Sequence, residues 1–273
     1  MNLLVVLGLG AGALAFVTAG QNVVLWWIGE PPAWPLRFTT THRAARTAVR
    51  ILVPATWGMT VLLAPLALGT TPAAYYGRML GAPPWPTLAG SVAYVIVGFT
   101  LLHVIGHATG YVEPFREHPW GRLRGKLLRR MFVIPVPAAL IEELVLRAVL
   151  LEQLLVALPA TGAGELSALV LSSAVFSAVH FIAPKPPEEP VWQAATGLFF
   201  VGCAIGAGYI HAGRALWLPI AIHAAGIACV EIPRLLTRFE RRGFWLVGTR
   251  EFPHSGLFGI TAMLLLAALL LRT

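Results

Sequence analysis

Long apolar stretches dominate this chain, and polar residues gather in the short segments between them. The apolar stretches cover residues 3–28, 49–69, 88–110, 131–158, 166–183, 192–210, 214–232 and 255–271. A helix rises about 1.5 Å per residue, so about 20 apolar residues cross the roughly 30 Å hydrocarbon core of a bilayer. The pattern predicts an all-α fold, a polytopic membrane bundle of about eight transmembrane helices whose long fourth helix tilts or protrudes.

The composition agrees with a membrane protein, because 57% of the 273 residues are hydrophobic and only 12% are charged. Soluble globular proteins carry about 25% charged residues. The net charge of +8 would suggest nucleic acid in a soluble protein. Here it indicates basic loops that face anionic lipid, and we expect no nucleic-acid partner. All twelve acidic residues are Glu, so any carboxylate chemistry must use Glu.

Basic residues alternate between the predicted loops. Sixteen of the 20 Lys and Arg residues lie in the first, third, fifth and seventh loops. Because cytoplasmic loops are enriched in Lys and Arg, these loops are predicted to be cytoplasmic and both termini to lie on the other side of a bacterial or archaeal cytoplasmic membrane. We expect one structural unit with three parts: helices 1–3 in residues 1–130, a core in 131–232, and a basic loop with the last helix in 233–273.

Three charged residues, Glu142, Glu143 and Arg147, fall inside the fourth predicted span. A charge at the centre of a membrane helix costs about 2.5–3.5 kcal/mol on insertion scales, so a simple anchor helix has little reason to carry three. Residues four apart share a face of an α-helix. Glu143 is therefore expected to pair with Arg147, which leaves Glu142 as a candidate base. The alternative is a structural ion network. Glu152 is expected to reach the interface and Glu231 to be structural.

Histidines occur on the neighbouring spans. Phe176 and His180 lie four apart on the fifth span, and His223 lies near the middle of the seventh. Imidazole can donate, accept or bind a metal, so the acidic helix and these histidines predict a buried polar cavity that holds water. His103 and His107 also share a helix face, a spacing that can bind a metal, but we interpret them as polar contacts at a helix end.

The polar residues form three motifs in order on successive spans: E-E-x-x-x-R, F-x-x-x-H, and a segment, GCAIGAGYIHAGRALWLPIAIH, that ends at His223. Together they resemble the CAAX prenyl endopeptidase and bacteriocin-processing family of intramembrane proteases, also called the CPBP or Abi family. The resemblance covers residues 130–232. It implies an intramembrane endopeptidase of glutamic type that hydrolyses a peptide bond of a membrane-associated protein or peptide.

The resemblance also implies residue roles. Glu142 and His180 would activate a water molecule, and His223 would hold the oxyanion. Glu143 and Arg147 would fix the helix and tune the base.

The resemblance implies the partners as well. Phe176 would contribute to substrate binding, and the partners would be membrane lipid and a peptide or protein tail that enters from lipid or the cytoplasmic interface. No cofactor is expected. Zinc held by Glu142, His180 and His223 is the alternative, but it would leave the base unassigned.

One position departs from the family pattern. The family usually has Asn or Asp four residues after the third-motif histidine, and this chain has Ile227. Losing one oxyanion donor can cost about 100- to 1000-fold in rate, although Asn22 or a backbone N–H near Gly226 could replace it. A catalytically weakened, non-enzymatic relative is therefore an alternative. A proton-coupled transporter is another, because intramembrane Glu, Arg and His also form proton relays.

Overall fold

The computed structural model describes residues 2–33, 43–114, 125, 127–182 and 191–272. Within these residues the predicted all-α membrane fold is confirmed. Six of the described helices are long and apolar enough to cross a membrane: Leu4–Trp27, Arg46–Ala67, Trp85–Ala108, Gly162–Val179, Val191–His211 and Trp217–Leu236.

The fourth and eighth predicted spans take other forms. The fourth is a run of short helical segments rather than one α-helix, and the eighth is a helix of 16 residues, α11. The run consists of a first π-helix Arg129–Val133, α5 Pro135–Glu143, a second π-helix Leu144–Leu151, and α6 Glu152–Ala157. Pro135 lacks a backbone N–H, so it cannot continue the hydrogen-bond ladder of the first π-helix.

The chain divides into two compact units. The first contains the described parts of Met1–Arg78 and Leu144–Glu189. Its helices are α1 Asn2–Trp27, α2 Arg43–Ala67, α3 Pro72–Gly77, the second π-helix, α6, and α7 Gly162–Val179. α1 packs along α2, while α2 and α7 both pack against the second π-helix. The Tyr75 hydroxyl of α3 donates to the Ala148 carbonyl of that π-helix at 2.6 Å.

The second unit contains the described parts of Met79–Glu143 and Pro190–Thr273. Its elements are α4 Trp85–Ala108, β1 Val112–Pro114, the first π-helix, α5, α8 Val191–His211, α9 Trp217–Leu236, β2 Thr237–Phe239, α10 Phe244–Val247 and α11 Leu257–Arg272, with 3-10 turns at Arg241–Gly243 and Pro253–Ser255. α9 packs against both α4 and α5, and α11 packs along α8. The contact between α9 and α5 positions the candidate site.

A two-stranded antiparallel ribbon joins β1 and β2, with Val112 paired to Phe239. Both residues are buried, and they form one apolar cluster with Leu102 and Val247. The sequence pattern did not predict this ribbon, because strands of three residues are too short to show the alternation that identifies a strand. The ribbon joins the segments that follow α4 and α9.

Several basic residues on which the predicted membrane topology depends lie outside the described residues: Arg37, Arg116, Arg122, Arg124, Lys126 and Lys185. The orientation in the membrane and the division of the chain into three parts stay predictions.

Candidate active site

Two adjacent carboxylates and one imidazole meet where α9 packs on α5. The Nδ1 atom of His223 lies 2.6 Å from Oε1 of Glu143, and its Nε2 atom lies 3.7 Å from Oε2 of Glu142. Glu143 has no exposed surface and His223 is 7% exposed, whereas the Glu142 side chain keeps 28% of its surface. The imidazole therefore lies between a fully buried carboxylate and a partly accessible one.

The hydrogen bond to Glu143 defines the orientation of His223. An ionised carboxylate can only accept, so Nδ1 carries the proton and donates it to Glu143. The Nε2 atom then faces Glu142, and it gains an N–H when the ring is protonated. This arrangement can present a charged N–H donor from the Nε2 side of the ring.

The second predicted motif lies on α7, in the first unit. Nδ1 of His180 lies 2.7 Å from the carbonyl oxygen of Phe176, and the centroids of the two rings are 4.5 Å apart. A carbonyl oxygen only accepts, so Nδ1 of His180 is the donor. In the neutral ring the Nε2 atom consequently holds a lone pair. His180 is thereby suited to accept a hydrogen bond or a proton through Nε2.

Arg147 lies in the second π-helix and has no exposed surface. Its guanidinium carbon is 4.9 Å from the centroid of the Phe176 ring, a cation–π arrangement that is favourable when the cation is desolvated. The arginine of the first motif thus contacts the phenylalanine of the second. The expected pairing with Glu143 stays a prediction.

The six predicted site residues form two groups, one in each unit. Glu142, Glu143 and His223 are together in the second unit. The other three, Arg147, Phe176 and His180, are together in the first.

Other polar candidates make contacts away from the His223 cluster. His103 and His107 place Nδ1 at 2.7 and 3.3 Å from backbone carbonyl oxygens. Glu231 accepts from Arg130 at 2.6 Å and from Arg234 at 2.7 Å. The structural roles expected for these residues stay predictions.

Two further expectations concern Glu152 and Asn22. Glu152 is only 7% exposed, so the expectation that it reaches the interface is wrong. The side-chain oxygen of Asn22 accepts the backbone N–H of Ala33 at 2.9 Å.

One polar contact near the site was not predicted from the sequence. The buried hydroxyl of Tyr75 donates to the Ala148 carbonyl within the second π-helix, and the Gln153 amide is 3.5 Å from that hydroxyl. Nothing in the spacing of these residues indicates the contact, because Tyr75 lies 73 residues from Ala148. Tyr75 thus supports the helical segment that carries Arg147.

The donor set gives no support to a metal. Among the residues that the structure describes, no group of three or more His, Cys, Asp or Glu side chains is placed to hold a metal ion. The expectation of a reaction without a cofactor stays a prediction.

Comparison with known proteins gives a match for part of the chain. Residues 124–227 match the model of the family described as type II CAAX prenyl endopeptidase, Rce1-like. No curated protein and no solved structure matches the chain. The matched segment includes all six candidate site residues, and the resemblance inferred from the three motifs is confirmed for it.

Proposed function

We propose that this chain, whose residues 124–227 match the Rce1-like CAAX endopeptidase family model, hydrolyses a peptide bond in a membrane-associated protein or peptide. The observation that carries the proposal is the His223 imidazole between the carboxylates of Glu143 and Glu142. Ionisable groups at membrane depth are costly and usually functional. A base, a donor and an orienting carboxylate are what hydrolysis by activated water requires.

Glu142 is the proposed base. Its side chain is the more exposed of the two carboxylates, at 28% against 0% for Glu143, so water can reach it. A water molecule activated by Glu142 attacks the scissile carbonyl carbon, and the family resemblance implies that His180 assists this activation through Nε2. The new C–O bond forms as the water proton moves to Glu142, and the carbonyl π electrons become the oxyanion. Glu142 then returns that proton to the leaving amine as the C–N bond breaks.

His223 is the proposed oxyanion donor. Its Nδ1–H is held by Glu143 at 2.6 Å, so in the protonated ring Nε2–H remains for the oxyanion. Glu143 orients this ring and compensates its charge, and it acts through His223 rather than on the substrate. The neighbouring position on the same helix face, Ile227, offers no hydrogen-bond donor. We therefore propose a slower enzyme than a relative that has Asn there.

Phe176 and Arg147 are proposed as positioning residues. Phe176 is 1% exposed, and its ring contacts both the Arg147 guanidinium and the His180 ring. A side chain buried to that extent has little surface for a substrate. We propose that Phe176 fixes the orientation of its two neighbours, in place of the direct substrate contact implied by the family resemblance.

The proposed substrate is a peptide or protein tail that approaches from lipid or from the cytoplasmic interface. The protein is an integral membrane protein, and we propose that its basic loops and the opening of the site are cytoplasmic with both termini outside. The substrate sequence is open, so a panel of membrane-tethered peptides is the appropriate probe.

The test uses the full chain reconstituted in lipid vesicles with that panel. Wild type should cleave at least one peptide, and Glu142→Gln and His180→Ala should each reduce the rate about 100-fold or more. Glu165→Gln, at an exposed position on α7, and His211→Ala, at the end of α8, are the matched controls and should cleave as wild type. Cleavage by Glu142→Gln at the wild-type rate would refute the mechanism.

Two further measurements distinguish this proposal from a transporter and from a metal-dependent protease. Ion flux into the vesicles without cleavage of any peptide would favour a transporter. Loss of cleavage after chelation, with recovery on adding zinc, would replace the metal-free version by a metal-dependent one.

A further inference from the structure

An elongated groove lies in the second unit, away from the candidate active site. It has a volume of about 580 Å³ and lies between α4 and the end of α9 with β2. One face of α4 contributes Ile96, Thr100, Val104 and His107, which recur every three or four residues. Eleven residues of rise correspond to about 16 Å of groove along the helix axis. The dimension suits an extended chain rather than a compact ligand.

The walls of the groove are chemically suited to hydrocarbon. Most lining residues are apolar. The Thr100 hydroxyl donates to the Ile96 carbonyl at 2.8 Å, and Nδ1 of His103 bonds the Phe99 carbonyl at 2.7 Å. A hydrocarbon chain fits such walls, because it gives up no hydrogen bonds to water when it enters the groove.

An arginine-rich surface follows directly from the groove. Thr237 lines the groove, and the next residue begins an exposed group that we name the arginine surface: Arg238, Arg241, Arg242 and Trp245. The Arg238 side chain is 70% exposed, with its Nε 3.4 Å from Glu240. The Arg242 guanidinium lies 5.8 Å from the centroid of the Tyr111 ring. Two carboxylates, Glu240 and the cross-strand neighbour Glu113, lie beside three arginines, so this surface keeps a net positive charge.

Trp245 is held outward by its neighbours on α10. Val247 has no exposed surface, and Phe244 and Leu246 pack against the same apolar cluster. Trp245 itself is 59% exposed. An indole presented beside arginines is typical of the boundary between headgroups and acyl chains. The short helix therefore presents an exposed indole close in sequence to two of the arginines.

We propose that the groove and the arginine surface together bind one anionic glycerophospholipid. An acyl chain lies along α4 in the groove, and the headgroup phosphate contacts Arg238 and Arg242, with Trp245 at the glycerol level. Arginine is suited to phosphate because its planar guanidinium can donate two hydrogen bonds at once. A neutral lipid would leave the arginines uncompensated, and an acidic peptide would leave the apolar groove unfilled.

The test measures lipid selectivity of the full chain in vesicles of phosphatidylcholine that contain phosphatidylglycerol. Spin-labelled phosphatidylglycerol and phosphatidylcholine report the immobilised fraction of each lipid by electron spin resonance. Wild type should immobilise phosphatidylglycerol preferentially. Arg238→Gln with Arg242→Gln should weaken that preference by about fivefold for each arginine removed. Arg43→Gln with Arg46→Gln removes two exposed charges elsewhere and should leave the preference unchanged.

A second pair of variants tests the groove itself. Thr100→Phe fills it, and Val97→Phe adds the same ring at an exposed position of α4 that does not line the groove. Thr100→Phe should reduce the immobilised phosphatidylglycerol and Val97→Phe should not.

Three results would overturn the proposal. They are no preference in wild type, equal losses in the two arginine pairs, and equal behaviour of the two phenylalanine variants. A further result would favour an acidic protein as the partner of the arginine surface. It is equal immobilisation of both lipids together with binding of a polyglutamate peptide that depends on Arg238 and Arg242.

Discussion

Helix α9 carries two ion clusters of opposite composition. Near its middle, the His223 imidazole lies between the carboxylates of Glu142 and Glu143. Toward its end, the Glu231 carboxylate lies between the guanidinium groups of two arginines, at 2.6 and 2.7 Å. One cluster is a base between two acids, and the other is an acid between two permanent cations.

Burial does not distinguish these two clusters. His223 is 7% exposed and the Glu231 side chain 13%, so both are largely removed from water. Arginine stays protonated at any accessible pH, so the two guanidinium groups of the Glu231 cluster do not exchange protons. Imidazole gains and loses a proton near neutrality, and its two nitrogens change roles when it does. The His223 cluster therefore contains the type of side chain that transfers protons in enzymes, placed between two carboxylates.

Among the replacements in the two clusters, that of His223 should reduce the rate of peptide cleavage most. His223→Gln keeps a polar side chain but removes the charged donor, and the cleavage rate should fall about 100- to 1000-fold. The measurement is kcat on the best tethered peptide, together with the midpoint of thermal unfolding. A variant that is folded and fully active would show that His223 is not the oxyanion donor.

Replacing Glu143 should have a smaller effect, because this residue acts through His223. Glu143→Gln should lower kcat about 10- to 100-fold with little change in KM, since the ring loses its orienting acceptor and its charge partner. Glu143→Asp should recover part of the loss. A change confined to KM, or an equal loss in both variants with a lower unfolding temperature, would indicate a purely structural role.

Adding the absent family donor should raise the rate modestly. Ile227→Asn places an amide four residues after His223 on the same helix face, and kcat should rise about tenfold. This gain is smaller than the roughly 100- to 1000-fold rate effect of one oxyanion donor, because the residues around position 227 are adapted to Ile. Ile227→Leu is the matched control and should not change kcat. A decrease in kcat for the Asn variant would mean that this chain holds the oxyanion in another way.

The Glu231 cluster should affect stability and leave catalysis nearly unchanged. Glu231→Gln removes the acceptor of two arginines and should lower the free energy of unfolding by about 1–3 kcal/mol, below the value for a fully buried pair. The rate of cleavage should stay within about twofold of wild type. The measurements are denaturant unfolding and kcat on the same preparation. A large loss of cleavage rate without loss of stability would contradict the prediction that Glu231 acts only on stability.

The sequence predicted the membrane fold well, because apolar runs of about 20 residues with few charges are typical of helices that cross a bilayer. The four-residue spacing of Phe176 and His180 agrees with their ring contact, since residues four apart on an α-helix share a face. The spacing rule does not reach the contact between Arg147 and Phe176, because these residues lie on different elements. A change of helical period leaves no pattern in residue types, so only the structure shows that Arg147 packs on Phe176.

Contacts between distant segments were also beyond sequence reasoning. The bond from Nδ1 of His223 to Glu143 joins residues 80 apart, and the motifs indicated shared chemistry but not which carboxylate holds which nitrogen. Glu152 looked interfacial because it lies toward the end of an apolar run, yet it is buried. Local spacing predicts which side chains share a face, whereas partners from other elements depend on packing.

The second π-helix has a consequence for how the chain tolerates changes in length. It spans Leu144–Leu151 and begins directly after the two adjacent glutamates. A π-helical segment occurs mostly as a local bulge inside an α-helix. Deleting a single residue within Leu144–Leu151 would bring the segment closer to the α-helical period and change which of its own side chains face α7, where Arg147 contacts Phe176.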